Sequence, residues 1–299
     1  MKKIVLLVLL FSLFIFANLF SYTSVNSSSA HTLNMSIDIP EMRLTEKEYR
    51  DGNTYSSIIL PNAGKLMTGK PDVPGLANWI LIPNGTNVSI STFPGTSLVF
   101  ENVDIAPLQP EPSDNIDTPL PPFEKDEAVY SMNADYPGIL AEVESTKMKR
   151  GQECTILWIY PYQYNPVERT LTIYPDLDVS VNFNGIIKPI PANLINDRLI
   201  ESLKSFAINA EAVLQAEESV DKTKSERLER TDGCELLIIT DPTYSSAANT
   251  LADWKTKRGI FTTVVTTTTT GSSVSSIENY INNAYDTWTP APSYFLFIG

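Results

Sequence analysis

The clearest period in the chain runs from Thr170 to Phe183. Its odd positions are Leu171, Ile173, Pro175, Leu177, Val179, Val181 and Phe183, and its even positions are Thr170, Thr172, Tyr174, Asp176, Asp178, Ser180 and Asn182. This alternation predicts a strand with one face in a core and one in solvent, bent or broken at Pro175. Upstream, Cys154 to Tyr160 is a candidate partner strand, with Asn165-Pro166 in the connecting turn. Trp79-Ile-Leu-Ile-Pro83 and Val88 to Thr92 read as two strands of a hairpin around Asn84-Gly85. Ser36 to Ile39 gives one more short strand, and the polar residues from Ser21 to Met35 read as frayed. The acidic, Pro-laden connection from Pro107 to Pro122 cannot join a ladder and must run over the surface. Together these short strands predict an all-β unit, a sandwich or barrel, over residues 36–191.

At Ala192 the period changes to a helical one, with apolar residues at Leu199, Ile200, Leu203, Phe206, Ala207, Ala210, Val213 and Leu214. Glu217 to Arg230 is then dominated by charge and holds no aromatic residue, the composition of an exposed linker. Residues 192–233 thus read as a helix followed by a linker. From Cys234 onward three apolar runs alternate with two amphipathic helices: Glu235 to Thr240, Gly259 to Val265, and Ser293 to Gly299. That order predicts a parallel sheet with crossover helices.

Asp241 is placed to cap the first of these helices, with Pro242 at its first position and Gly259 ending it. Ala247, Ala248, Leu251 and Trp254 are its expected buried face. Ser275-Ser-Ile-Glu278 reads as a capping box for the second helix, with Ile277, Ile281, Ala284, Tyr285 and Trp288 facing inward. The threonines from Thr266 to Thr270 read as a loop. Three parallel strands of this length cannot cover their own sheet. Residues 234–299 therefore read as the truncated first βαβαβ part of a larger α/β domain.

Composition narrows the function. A formal net charge of −13 excludes the basic footprint that nucleic-acid binding needs. Met1-Lys-Lys3 followed by the apolar run Ile4 to Phe20 has the form of a secretory signal peptide over residues 1–25, with an uncleaved anchor as the alternative. The chain has 2 cysteines, Cys154 and Cys234, and a single histidine, His31, in a polar stretch. No Cys–His or Ser–His pair can be assembled from these, nor a His-based zinc site. The expected state of both cysteines is a buried thiol.

Several stretches, in order, resemble the gingipain-type cysteine peptidases, a caspase-like family of secreted endopeptidases. They begin with Gly69-Lys-Pro71, Ile80 to Gly85, Asp104 to Pro110, Tyr160-Pro-Tyr-Gln-Tyr-Asn-Pro166 and Leu171 to Phe183. They continue with Leu236 to Thr240, Leu251-Ala-Asp-Trp-Lys255 with Gly259, Gly271-Ser-Ser273, Tyr280-Ile281, Ala284-Tyr285 and Tyr294 to Gly299. The resemblance implies an all-β pro-domain followed by the start of a caspase-like α/β domain, with the catalytic His and Cys beyond Gly299. It implies a zymogen whose pro-domain serves as chaperone and inhibitor, secreted to the extracellular space or cell surface. The partners it implies are the chain's own catalytic domain and protein substrates. No cofactor is evident from the residues, and calcium is the ion the resemblance admits.

Arg227 and Arg230 in the exposed linker are then candidate activation-cleavage sites, against the plainer reading of solvated charges. Lys125, Lys149 and Arg150 are candidates for an inhibitory loop that fills a specificity pocket, against the plainer reading of surface cations. In open α/β sheets the cleft lies at the carboxyl ends of the strands, here Thr240-Asp241, Val265-Thr266 and Gly299. A rival from another class uses Asp241, Thr243 and Ser245, an Asp-x-Thr-x-Ser pattern resembling the metal site of von Willebrand A-type adhesion modules. Capping of the helix by Asp241 explains the same residues without a metal.

Overall fold

A computed structural model describes residues 22–39, 43–60, 63–64, 67–115, 117–220 and 233–299. The strands of the first part are β1 (Thr23–Ser28), β2 (Thr32–Asp38), β3 (Arg43–Glu48), β4 (Thr54–Ile59), β5 (Leu76–Ile82), β6 (Thr86–Pro94) and β7 (Leu98–Phe100). A short helix α1 (Glu127–Tyr130) precedes β8 (Ala141–Val143), β9 (Lys147–Lys149), β10 (Gln152–Ile159), β11 (Tyr162–Asn165), β12 (Thr170–Ile173) and β13 (Asp176–Gly185). One antiparallel sheet has the order β1-β2-β13-β6. Facing it are β5-β10-β8, with β9 also on β10, and the three-stranded β11-β12-β7. The hairpin β3–β4 stands beside them.

The alternating stretch forms β12 and β13, broken at Tyr174-Pro175, and Leu171, Ile173, Leu177, Val179, Val181 and Phe183 are all buried. Their core partners include Leu33, Met35 and Ile37 of β2 and Ile80, Leu157, Tyr162 and Tyr164 of the opposite layer. Full burial of each large apolar side chain contributes about 1.5–3 kcal/mol.

Several local expectations are corrected. Residues from Ser21 to Met35, read as frayed, hold β1 and most of β2, so strand structure begins at Thr23, inside the stretch assigned to a signal peptide. Residues 1–21 lie outside the described ones. Asn84-Gly85 makes a turn, with Gly85 at φ 83, but β5 and β6 do not pair with each other. β5 pairs with β10 and β6 with β13, so the turn carries the chain from one layer to the other. For the same reason Cys154 to Tyr160 is a partner of β5, not of the alternating stretch.

The helical stripe becomes two helices, α2 (Asp197–Phe206) and α3 (Ala210–Val220). They pack on the second face of β5 and β10, where Leu199, Leu203, Val213 and Leu214 meet Leu81 and Cys154. Burial on both faces explains why β5 reads as a nearly unbroken apolar run. Glu217, read as linker, belongs to α3 and is only 2% exposed, its Oε1 accepting from the Asn84 N–H at 3.1 Å.

The last part is a parallel sheet of order β15-β14-β16, with β14 (Leu236–Thr240), β15 (Thr262–Thr266) and β16 (Tyr294–Ile298). Its helices are α4 (Ser245–Lys257), the short α5 (Thr267–Thr270) and α6 (Val274–Thr287). Leu236 and Ile238 face Ala248 and Ala252 of α4, while Leu237 and Ile239 face Ala284 of α6. The centre strand is therefore buried throughout, whereas Tyr294 and Phe297 on the edge strand are 54% and 58% exposed.

Three details differ here. Ala247 and Trp254 lie on the outer side of α4, with Ala252 in their place. Ser273, not Ser275, caps α6, accepting from the Ser276 N–H at 3.1 Å. The threonine run ends β15 and makes α5, not a loop.

Candidate functional site

Two chemically distinct edges frame the parallel sheet. At the carboxyl ends stand Thr240, Thr266 and Ile298. At the amino ends the β unit and its helix pair meet the α/β unit, and Arg150 is one of the side chains that make that contact.

β9 and β10 are joined by the two-residue turn Arg150-Gly151, with φ 49 and 80. Such a turn needs positive φ at both positions, which Asn, Asp and Gly meet easily and arginine does not. A residue held in that region costs on the order of 1–3 kcal/mol. The half-buried guanidinium reaches three backbone carbonyls. Its Nη1 donates to Pro292 O at 2.8 Å, and its Nη2 lies 3.3 Å from Ala291 O and 3.4 Å from Leu194 O. It also sits 5.9 Å from the Tyr285 ring centre. Burial lowers the pKa of the guanidinium from its ordinary value.

Neighbouring contacts follow the same edge. Asn193 accepts from the Ala291 N–H through its backbone carbonyl, at 2.8 Å, and its side chain donates to Tyr285 O at 3.0 Å. Asn196 Nδ2 donates to Ser293 Oγ, and Arg198 pairs with Glu235 at 2.9 Å. Ala291 is fully buried in the same apolar cluster as Leu194 and Leu199. Behind it, Gly233 lies so close to Thr289-Pro290 that a Cβ would fall 2.2 Å from the Thr289 carbonyl carbon.

The sequence-derived candidates are thus dispersed. Lys149 Nζ donates to Ser202 Oγ at 2.8 Å and lies over Phe206, tied to α2. Arg150 occupies the amino-end contact, away from the carboxyl edge. Lys125 is set among aromatic rings of the β unit, its Nζ 4.6 Å from the Tyr130 ring centre and 5.9 Å from that of Tyr55. It follows the neck of the Pro-rich arch, which Gln109 closes by donating to Glu124 O and accepting from the Glu124 N–H, at 2.8 and 3.0 Å. Phe123 stacks on Tyr55, whose phenol is pushed up to about 12 by burial and by the Asp51 carboxylate. Arg227 and Arg230 fall in 221–232, outside the described residues.

Asp241 accepts from the Thr243 N–H at 2.8 Å and caps the 3-10 turn Pro242–Tyr244, not α4 itself. Hydrogen bonds from Thr243 hold its carboxyl below the ordinary value. Ser245 opens α4, and its carbonyl accepts from Asn249. Among the described residues no three His, Cys, Asp or Glu side chains gather as a metal group.

The thiol and imidazole chemistry is equally dispersed. Cys154 and Cys234 are free and buried, and burial raises both thiols. A nucleophilic thiol needs the opposite shift. His31 lies in the β1–β2 turn, its Nδ1 3.3 Å from Phe183 O. What sequence reasoning missed is the role of Arg150. The one signal was an arginine before Gly151 at a tight hairpin, where a turn residue belongs.

An all-β domain seated, through a helix pair, on the opening strands of a parallel α/β domain defines a pro-domain joined to the start of a caspase-like domain. Residues 22–214 match Propeptide_C25, and residues 229–299 match peptidase family C25. The chain therefore belongs to the gingipain-type C25 peptidase family, as its N-terminal region. Among curated proteins it is similar to Lys-gingipain HG66 of Porphyromonas gingivalis, 23% identical over 290 residues, which are 93% of this chain and 16% of that protein. Gingipain R1 of the same organism is 22% identical over 233 residues, 77% of this chain and 23% of that protein. The chain thus spans about a sixth to a quarter of the length of these relatives. A solved complex of Porphyromonas gingivalis RgpB pro- and mature domains shares the fold, with a TM-score of 0.54 and 19% identity over 64% of this chain and 99% of the matched one.

Proposed function

We propose that the chain is the N-terminal portion of a secreted gingipain-like cysteine endopeptidase zymogen, whose β unit and helix pair act as a pro-domain that helps the peptidase domain fold and holds it inactive. The observation that carries this reading is the order of the modules, a propeptide match leading into a peptidase match within one chain. Arg227, between the two matched stretches, and Arg230, at the start of the second, are the activation-cleavage sites in this reading. Lys149 and Arg150 are tied to α2 and to the α/β unit, so Lys125 is the side chain we assign to a specificity pocket. The chain itself is catalytically silent, because its one histidine and two buried thiols lie on separate elements. The resemblance to secreted peptidases and the signal-like N-terminus support a location outside the cell or at its surface. Protein substrates and calcium belong, in this reading, to the whole enzyme.

The test adds the full chain to an active C25 peptidase hydrolysing a chromogenic Lys or Arg peptide. Saturable inhibition is expected, with no turnover by the chain alone, and Lys125→Ala weakens it. Trace trypsin is expected to cut first after Arg227 or Arg230. A folded chain that leaves the peptidase untouched at molar excess rejects the reading.

A further inference from the structure

We infer that Arg150 anchors a docking seat, separate from the substrate cleft, by which the β unit holds the peptidase domain at the amino-terminal edge of its sheet. The inference rests on the zymogen reading for the identity of the two modules, but its test does not use inhibition.

The backbone is the first observation. Arg150 takes φ 49 at the head of a two-residue hairpin turn, where Asn or Gly would sit without strain. A strained residue persists where its surroundings hold it, and here they do. The guanidinium meets Pro292 O, Ala291 O and Leu194 O, and the Tyr285 ring lies beside it. Position is the second observation. Pro292 and Ala291 lead into β16, whereas the edge expected to carry the cleft begins at Thr240, Thr266 and Ile298. A five-residue strand separates the two edges by roughly 13 Å. The third is the apolar ground under the cation, where buried Ala291 joins Leu194 and Tyr285. Excluding water there strengthens each charge-assisted bond.

The seat recognises backbone carbonyls and one tyrosine ring, so its partner is the entry into the third parallel strand together with the end of α6. Because that contact lies away from the carboxyl ends, severing residues 221–232 removes the tether without removing the seat. The cut α/β unit stays attached until the seat itself opens.

The experiment places a site-specific protease sequence within 221–232 of the full chain, cuts it, and follows the pieces by gel filtration and amide hydrogen exchange. The unsubstituted cut chain is expected to elute as one species. Arg150→Asn, a residue the turn favours, keeps the hairpin and removes the guanidinium. It is expected to speed separation at least tenfold and to expose the amides of 285–298, while β2 and β13 keep their protection. Tyr285→Leu, from the other half, is expected to act in the same direction, and Arg150→Lys to fall between. Pieces that part on cutting without substitution, or an Arg150→Asn chain with unchanged separation and unchanged protection of 285–298, overturn the inference. An intact seat in a chain that inhibits no peptidase instead counts against the zymogen reading alone.

Discussion

Asn209 pairs with Leu81 as a neighbouring strand would: its Oδ1 accepts from the Leu81 N–H at 2.8 Å and its Nδ2 donates to Leu81 O at 2.9 Å. Both residues are buried, and Ile208 adds a backbone bond to Trp79 O. The break between α2 and α3 thus seals the open edge of β5, a place where an unpaired strand would invite aggregation. Asn209→Ala leaves a buried donor and acceptor without partners. It is expected to destabilise the β unit by roughly 2–4 kcal/mol in urea unfolding. Asn209→Asp should also destabilise, since it removes the donor and sets a carboxylate against Leu81 O.

This contact also shows where sequence reading stops. The alternation from Leu171 to Phe183 was legible because one-sided burial writes itself into every second residue. The run Leu236 to Thr240 was legible because burial on both faces leaves no polar position. Residues 43–48 carry almost no apolar residue, so β3 left no period to read. Asn84-Gly85 announced a turn, but a turn between layers and a turn within a hairpin use the same residues. Asn209 and Arg150 are single polar residues whose meaning depends on partners far along the chain, and no local pattern encodes such a partner. Arg227 and Arg230 were read from the charged composition of the linker and from its place at the domain boundary of a zymogen-like chain.

Gly233 is the first described residue after the link, and it touches the backbone of Thr289-Pro290. A Cβ there would lie 2.2 to 2.3 Å from three backbone atoms, so the chain must move. Gly233→Ala is expected to cost about 1–3 kcal/mol, as overpacking does. Hydrogen exchange should show the loss in β14 and β16, with β2 and β13 unaffected. Unchanged protection of β14 would mean that the Thr289-Pro290 segment shifts without strain.

The two thiols give a pH signature. Burial favours their neutral form, so each folded pKa lies above the ordinary value of 9.0. A group raised in this way contributes stability that is full below its unfolded pKa and lost as pH rises through the folded one. The unfolding midpoint is expected to fall as pH climbs above about 9. Cys154→Ser and Cys234→Ser variants should flatten that fall. A thiol-directed chromogenic reagent at pH 8 should label neither cysteine in the folded chain and both in denaturant.

Asp241 separates capping from metal binding. As a cap it accepts from Thr243, and the bond holds its carboxyl low. A lowered carboxyl contributes stability that is full above its unfolded pKa and lost as pH falls through the folded one. Asp241→Ala is therefore expected to lower the unfolding midpoint at neutral pH, with the difference shrinking below about pH 4. Asp241→Asn, which still offers an oxygen to the Thr243 N–H, should recover part of the loss. Millimolar Mg²⁺ or Mn²⁺ is expected to leave all three midpoints where they were, because a cap needs no cation. An adhesion-type site predicts the reverse, a metal-dependent rise that disappears in Asp241→Ala and in Ser245→Ala. Ser245 makes that distinction sharp. The cap runs through Thr243 and does not use the Ser245 hydroxyl, so a metal-dependent response lost in Ser245→Ala would overturn the capping role.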